Sequence, residues 1–294
     1  MRSRQQWLAV VLAVAAPLAA QSPAEAPAPE EPDFFFLAGG PYTQLRNSFQ
    51  IIWANQFVRD RSGAVRTRDF IGAGRFEWGF SDRFEFDLEF GYLRPRASTG
   101  GVASVSAQGV DDTMLGARYR LLREPSFPVT LTTGPQIILP SASRRQGLGT
   151  GKTSYAWDLA LARDFGGPFF LGASLNASVT PDVADLAPGS SQRFDLSGIE
   201  WGVAFLLRPL ERDTSAGSHH DIHLYLEFGG GRFEEIDAGG RTRRTEVLAA
   251  PGIRYGFLTA GKTLTEIGFS VPLGLTRNAP DWGLILQVQF EAVF

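Results

Sequence analysis

Apolar and polar side chains alternate with a period of two along most of this chain. The pattern is clearest in residues 83–92, where Phe, Leu or Tyr occupies every even position while Glu85, Asp87 and Glu89 occupy odd ones. Successive side chains of a β-strand point to opposite faces, whereas a helix would not segregate these residues. The segment therefore predicts a strand with one apolar face and one acidic face.

Twelve blocks follow this pattern, separated by clusters of Gly, Pro, Asp, Ser and Asn. The blocks lie at residues 49–57, 70–80, 83–92, 115–121, 129–139, 155–161, 169–179, 199–207, 222–228, 247–257, 267–273 and 282–294. Short links at 81–82, 124–125, 166–167 and 259–260 alternate with long polar links at 97–108, 140–151, 181–192 and 229–244. This alternation is typical of a barrel with both chain ends in the periplasm.

Two features disagree with so regular a barrel. The link at residues 211–221 is long and polar where a short turn is expected, which raises the question of a miscounted strand. Pro135, Pro251 and Pro272 fall inside predicted strands, where each removes a hydrogen-bond donor. We expect bulges or interrupted pairing at these prolines.

The blocks predict a membrane barrel rather than a soluble β-protein. A tilted strand of about 9–11 residues crosses a bilayer, and the sheet must close because lipid offers no hydrogen-bond partner to an open edge. Nine aromatic residues that we place at strand ends match interfacial girdles: Trp53, Phe80, Tyr92, Tyr155, Phe169, Phe228, Phe257, Trp282 and Phe294. The predicted fold is an all-β, transmembrane antiparallel barrel of about 12 strands over residues 44–294.

The amino terminus has the pattern of a secretion signal. Arg2 and Arg4 precede an apolar run at residues 7–20 that ends in Ala19-Ala20, which predicts a signal peptide over residues 1–20. The alternative, a membrane anchor, needs about 20 apolar residues. Residues 21–43 then form a Pro-, Ala- and Glu-rich leader, beginning with a segment that cannot bury enough apolar surface to order itself. We expect the mature protein in the outer membrane of a Gram-negative bacterium.

Composition removes several classes of function. The chain has no cysteine, which excludes disulfides, thiolate metal sites and an acylated-Cys anchor. Without Arg2 and Arg4 it carries 26 basic and 31 acidic residues, a balance that disfavours nucleic acid as a partner. Expected partners are outer-membrane lipid, a small-molecule permeant, and the assembly machinery, through a last strand that ends at Phe294.

Two stretches resemble a known family. Residues 110–120, VDDTMLGARYR, and the loop at 140–151 are similar to the outer-membrane family labelled "MetA-pathway of phenol degradation". The resemblance covers about residues 70–294. It implies a barrel associated with the uptake of aromatic or other hydrophobic compounds, and it identifies no catalytic residue.

Charged and amide side chains on the polar faces are the candidate lumen lining. A barrel of eight strands is filled by side chains and one of sixteen holds a water channel, so twelve lies between these cases. An acid–base pair is the alternative role for Glu85, Asp87 and Glu89. The candidates are Arg75, Glu77, Glu85, Asp87, Glu89, Asp112, Arg118, Arg120, Asp158, Glu200, Arg254, Glu266, Gln287, Gln289 and Glu291.

Two further motifs suggest chemistry. Residues 256–263, GFLTAGKT, match the phosphate-binding pattern G-x-x-x-x-G-K-T, but the following residues alternate as a strand where that site needs a helix. His219, His220 and His223 have a spacing that could bring two imidazoles to one metal ion, although exposed histidines at a strand start commonly bind nothing. We predict no metal and no cofactor.

The leading hypothesis is a channel, not an enzyme: passive uptake of small, hydrophobic or aromatic molecules with lumen charges that set selectivity. Two alternatives stay open. One is an outer-membrane enzyme resembling a lipid hydrolase, and the other is a closed structural or adhesive barrel.

Overall fold

The computed structural model describes residues 35–62, 65–99, 102–185, 190–213, 219–237, 240–259 and 263–293. Within these ranges no helix is long and apolar enough to cross a membrane. The strands are β1 (Ser48–Ser62), β2 (Val65–Ser81), β3 (Phe84–Thr99), β4 (Val102–Ser106), β5 (Gly109–Val110), β6 (Thr113–Leu122), β7 (Thr130–Leu139), β8 (Ser154–Asp164), β9 (Phe169–Ala184), β10 (Arg193–Asp213), β11 (His219–Asp237), β12 (Gly240–Thr259), β13 (Thr263–Ser270), β14 (Leu273–Gly274) and β15 (Trp282–Val293). A short 3-10 turn at Arg144–Gln146 lies between β7 and β8.

The strands form one closed antiparallel barrel. Neighbours run in the order β1, β2, β3, β6, β7, β8, β9, β10, β11, β12, β13 and β15. Closure comes from β1, which pairs with β15 from Ser48 opposite Val293 to Arg59 opposite Trp282. The short β4 and β5 pair with β3, and β14 continues the path of β13. The prediction of a twelve-stranded transmembrane barrel is confirmed.

The two ends of the barrel differ. One, which we name the turn end, carries the links β2–β3, β6–β7, β8–β9, β10–β11 and β12–β13 together with the start of β1 and the end of β15. The other, the loop end, carries the remaining links. In outer-membrane barrels short turns face the periplasm and long loops face outside.

Strand lengths explain the irregular links. Across residues 211–221, β10 continues to Asp213 and β11 begins at His219, so no strand was miscounted there. The predicted loop at 229–244 is wrong, because β11 and β12 stay paired up to Asp237 opposite Gly240. Beyond the bilayer both faces meet water, so the alternation that marks a strand disappears while the pairing continues.

The prolines behave in two ways. Pro272 lies between β13 and β14 and interrupts the strand as expected. Pro135 and Pro251 stay within β7 and β12, and the Pro251 carbonyl accepts hydrogen bonds from Val271 N–H and the Ser270 hydroxyl.

In the GKT motif, Thr263 opens strand β13 rather than a helix, so the phosphate-binding alternative fails on geometry.

Burial is inverted relative to a soluble protein. Exposed outward side chains include Trp53, Phe86 and Phe90, whereas Glu77, Glu85 and Arg120 are buried inside. Aromatic residues cluster near both rims: Phe80, Phe165 and Phe169 at the turn end, and Tyr92, Tyr155 and Trp282 at the loop end. This apolar outer band with aromatic girdles is the surface that a bilayer covers.

Candidate functional site

Residues 35–44 cross the interior of the barrel, and we name them the lumen strap. At one end the Gln44 N–H donates to Glu85 of β3 at 2.5 Å. At the other end the Phe36 N–H donates to Glu227 of β11 at 2.8 Å. β3 and β11 are six strands apart in a ring of twelve, so they are opposite walls. The strap therefore spans the lumen from wall to wall.

Glu227 binds the far end of the strap. Its Oε1 accepts from Phe36 N–H at 2.8 Å, and its Oε2 accepts from Leu37 N–H at 2.8 Å and Ala38 N–H at 2.9 Å. The side chain is completely buried. Hydrogen bonds to an ionised acceptor are about twice as strong as neutral ones, and successive backbone amides form an anion-binding concavity. Glu227 and the three amides therefore form a latch.

The near half of the strap is also bound through its main chain. Arg120 donates from Nε to Thr43 Oγ1 at 3.0 Å and from Nη2 to the Thr43 carbonyl at 2.8 Å. Further contacts join Arg118 to the Gly40 carbonyl, the Thr132 hydroxyl to the Pro41 carbonyl, and Gly39 N–H to the Ser174 hydroxyl. Side chains of the wall thus recognise the peptide groups of the strap.

Two wall glycines make room for the strap. A Cβ at Gly202 of β10 would lie 2.7 Å from Ala38 Cα, and one at Gly252 of β12 would lie 2.7 Å from a ring carbon of Phe36. Distances below 3.0 Å force a neighbour to move. The close approach of strap and wall thus depends on the absence of a side chain at these positions.

An apolar cluster holds the end of the strap nearest Phe35. The Phe35 ring lies 6.1 Å from the rings of Phe170 and Tyr225, and Phe36 lies 5.6 Å from Tyr225 in an edge-to-face contact. Ala162, Ala204 and Leu206 of the wall complete this cluster. Aromatic pairs of this geometry add about 0.5–1.5 kcal/mol beyond the burial of their surface.

The strap forms one wall of a cavity of about 860 Å³ inside the barrel. Among the residues that the structure describes, its charged lining is seven carboxylates against two guanidinium groups: Glu77, Glu89, Asp111, Asp112, Asp158, Glu200 and Glu246 against Arg75 and Arg118. Phe233 and Phe36 add aromatic surface. The cavity is therefore strongly acidic, with apolar faces beside the charges.

An ion network joins strands β2, β3 and β6 at the side of this cavity. Arg75 lies 2.8 Å from Glu89 and 3.4 Å from Glu77, and Arg118 lies 3.0 Å from Glu85. The strand register puts Glu85 directly opposite Arg118, as expected for residues on the same face of neighbouring strands. The geometry favours an ion-pair network over the acid–base alternative.

Glu77, Glu85 and Asp87 are the described group with the spacing of a metal site. Their ligand oxygens lie within 4.8 Å of one another, and all three side chains are buried. Arg118 and Arg75 already pair with two of these carboxylates, at Glu85 and Glu77. We assign them to the ion network, since the arginines supply the balancing positive charge.

The structure divides the predicted lumen residues among three places. Eight line the cavity: Arg75, Glu77, Glu89, Asp112, Arg118, Asp158, Glu200 and Gln287. Glu85, Asp87 and Arg120 are buried near the strap's attachment to β3 and β6. Arg254, Glu266, Gln289 and Glu291 lie in the turn-end halves of β12, β13 and β15.

A second buried charge cluster lies toward the turn end. Arg254 donates from Nη2 to Asp221 Oδ2 at 2.5 Å and also pairs with Glu266. His223 Nε2 lies 3.3 Å from the same Asp221 oxygen. The four groups join β11, β12 and β13 across adjacent strands. They are therefore linked to each other across three neighbouring strands.

His220 and His223 do not converge on one point. His223 is buried on the inner face, whereas His220 contacts the exposed Tyr255, with Nδ1 2.5 Å from the Tyr255 hydroxyl. The side chain of His219 lies outside the described residues. Neighbouring positions on a strand point to opposite faces, so His220 and His223 cannot share a ligand.

Sequence reasoning missed Glu227, Thr132 and Ser174 as strap-binding residues. Each falls on the inward face of its strand by alternation, so parity alone could have placed it in the lumen. Its role depends on a strap that is far away in sequence, and no local pattern reports such a contact. The predicted leader also divides, because residues 35–43 pack in the lumen and residues 21–34 lie outside the described residues.

A closed barrel with this apolar band has the fold of bacterial outer-membrane proteins. It is similar to the COG4313 outer membrane channel from Pseudomonas putida F1, with a TM-score of 0.56 and 15% identity over 86% of this chain and 98% of that one. It is also similar to the beta domain of the Bordetella autotransporter BrkA, with a TM-score of 0.52 and 11% identity over 84% of this chain and 100% of that one. Identities this low show the fold alone.

No family model matches the sequence, and no curated protein matches it. The resemblance to the phenol-degradation family therefore stays a prediction. The signal peptide at residues 1–20 and the terminal Phe294 lie outside the described residues, so both also stay predictions.

Proposed function

We propose that the protein is a passive outer-membrane channel for small solutes, in which the lumen strap controls passage. The observation that carries this is the acidic cavity of about 860 Å³, with its seven carboxylates and two guanidinium groups beside a strap that crosses the lumen. If the barrel had only a structural role, packed side chains would be expected to fill its interior, as they do in narrower barrels. An open, charged cavity is what a permeating solute needs.

The charge of the cavity selects the permeant. A cleft lined by one sign of charge concentrates counter-ions and repels co-ions. Phe233 and Phe36 offer ring faces beside these carboxylates, and cations bind aromatic faces. The expected permeants are therefore small cations, including organic and aromatic ones. An uncharged hydrophobic permeant, which the family resemblance implies, receives less support from this lining.

The closed structural barrel is the second candidate, and the strap is the observation that favours it. The latch at Glu227 and the contacts of Arg118 and Arg120 bind the strap at both walls. A strap that never moves would make the protein a sealed scaffold. The lipid-hydrolase alternative has less support, since the partner of His220 among the described residues is Tyr255 on the outer face.

Reversal potentials in planar bilayers test the proposal. Refolded full-length protein in a KCl gradient should conduct and prefer potassium over chloride. The D112N/E200Q variant removes two cavity carboxylates and should shift the preference toward equal permeability. The matched control, D281N/E235Q, removes two exposed carboxylates outside the cavity lining and should leave the reversal potential unchanged.

Two results would overturn the proposal. Heat-sensitive migration on a gel shows whether the barrel is folded. A folded barrel that gives no conductance in any variant would be a closed structural barrel. A conductance that favours chloride, or that ignores D112N/E200Q, would show that the acidic cavity is not on the permeation path.

A further inference from the structure

Six arginines form a patch on the outer wall at the loop end. Arg59 of β1 lies directly opposite Arg68 of β2, and Arg68 lies directly opposite Arg96 of β3. One row further from the bilayer centre, Arg61 lies opposite Arg66. The sixth, Arg94, lies opposite Phe70, one row nearer the bilayer centre than Arg59 and Arg68. We name these six residues the arginine patch.

The patch faces outward, toward lipid. Its members share the strand face of Ile51, Phe76 and Phe90, which belong to the exposed apolar band, and all six are exposed. Trp282 lies in register beside Arg59, and Tyr92 precedes Arg94 by one position on the same face. Interfacial aromatics mark the headgroup level of a bilayer. The arginines therefore lie at, or just above, the level of the lipid headgroups.

The protein itself offers little counter-charge there. Asp60 and Asp69 occupy the alternate, inward positions of β1 and β2, and residues 93–109 contain no acidic residue. Within the described ranges none of the six guanidinium groups makes an ion pair with a carboxylate. Like charges directly opposite on neighbouring strands destabilise a sheet. An external anion would remove this repulsion.

We infer that the arginine patch binds the phosphate groups of the glycolipid in the outer leaflet of the outer membrane. This inference rests on the proposed placement, with the loop end facing outside. Neighbouring strands are about 4.8 Å apart and same-face residues about 6.6 Å apart, so three rows on three strands cover about 10 by 13 Å. That area accommodates one disaccharide headgroup with two phosphates.

The chemistry of the patch suits this ligand. Guanidinium groups bind phosphate through two parallel hydrogen bonds, and basic clusters at a membrane interface attract anionic headgroups. Phe57 and Phe70 share the row of Arg94, which is the row nearest the bilayer centre, and there they would contact the acyl chains of the same lipid. A phosphorylated glycolipid therefore matches both the arginines and the neighbouring phenylalanines.

Titration of refolded full-length protein in detergent with fluorescent bisphosphorylated lipid A tests the inference. The R59Q/R68Q/R96Q variant removes the central row, and at about fivefold per arginine its affinity should fall about 100-fold. R59K/R68K/R96K keeps the charge and should lose less. The matched control R46Q/R83Q/R145Q removes three exposed arginines outside the patch and should bind like the parent protein.

Several outcomes would overturn the inference. Equal affinity of the central-row Gln variant and the parent protein would do so, as would equal binding of dephosphorylated lipid A. Binding of phosphatidylglycerol as tight as that of lipid A would show a general anionic surface. Labelling of S98C only after cells are permeabilised would place the patch on the wrong side. Conductance is measured separately, so a silent barrel that binds lipid A refutes the channel and leaves this inference standing.

Discussion

Removal of the Glu227 carboxylate should release the far end of the lumen strap. In Glu227→Ala the amides of Phe36, Leu37 and Ala38 lose their shared acceptor. Hydrogen bonds to a charged group contribute about 1.5–3 kcal/mol each, but lumen water can satisfy the freed amides and the buried carboxylate carries a desolvation cost. We expect a net loss of about 3 kcal/mol for the closed state, about a 150-fold shift toward opening.

Single-channel recording in planar bilayers measures this shift. The open probability of Glu227→Ala should rise steeply over that of the parent protein, whereas Glu227→Gln, which keeps one acceptor oxygen, should rise less. Glu234→Ala is the matched control. Glu234 lies on the same strand and is also buried, but it pairs with Arg241 and Arg243 of the loop end instead of the strap.

A second measurement separates opening from general damage. The chain has no cysteine, so Leu37→Cys adds one labelling site to the strap. Maleimide should modify that site faster in the Glu227→Ala background than in the parent background. Unchanged conductance together with unchanged labelling, in a barrel that still migrates as folded, would refute the latch.

Two further predictions concern the fit of the strap against the wall. A Cβ at Gly39 would lie 3.4 Å from Ser174 Cβ, close to disulfide geometry, so oxidised G39C/S174C should stay closed and should open only after reduction. Conductance that ignores the redox state would contradict a moving strap. Gly202→Leu should open the channel, because overpacking against Ala38 costs about 1–3 kcal/mol. Val203→Leu, on the opposite face of the same strand, should leave the channel closed. Equal open probabilities in the two variants would contradict the close packing of the strap against Gly202.

Alternation along the sequence was sufficient for the wall of the barrel. It predicted twelve strands, and it placed Glu85 and Arg118 on one inner face, where they are in register and 3.0 Å apart. The period of two carries this information because lipid on one side and polar lumen on the other force every second residue to change character. Where that contrast ends, as in the hairpin of β11 and β12 beyond the bilayer, the sequence was misread as a loop.

The position of the strap could not be predicted from alternation, for a physical reason. Its main-chain groups make the contacts with Glu227 and Thr132 and one of the two contacts with Arg120. Backbone amides and carbonyls are present in every sequence, so nothing in residues 35–44 announces that they are ligands. The wall residues do carry a signal, since polar side chains on an inward face need partners, but the partner cannot be read from the strand that bears them.

On the proposed function, recognition of peptide groups by the wall would place control of the lumen on the barrel strands. Phe35 and Phe36 hold one end of the strap by packing, whereas most of its polar contacts use the main chain. Here the specificity is on the barrel: Glu227 and Ser174 accept from strap amides, Arg118 and Arg120 donate to strap carbonyls, and Gly202 and Gly252 admit the close approach. The barrel strands are thus both the membrane wall and the binding site for their own N-terminal segment. Arg118 and Ser174 have both roles, since they bind the strap and also line the cavity.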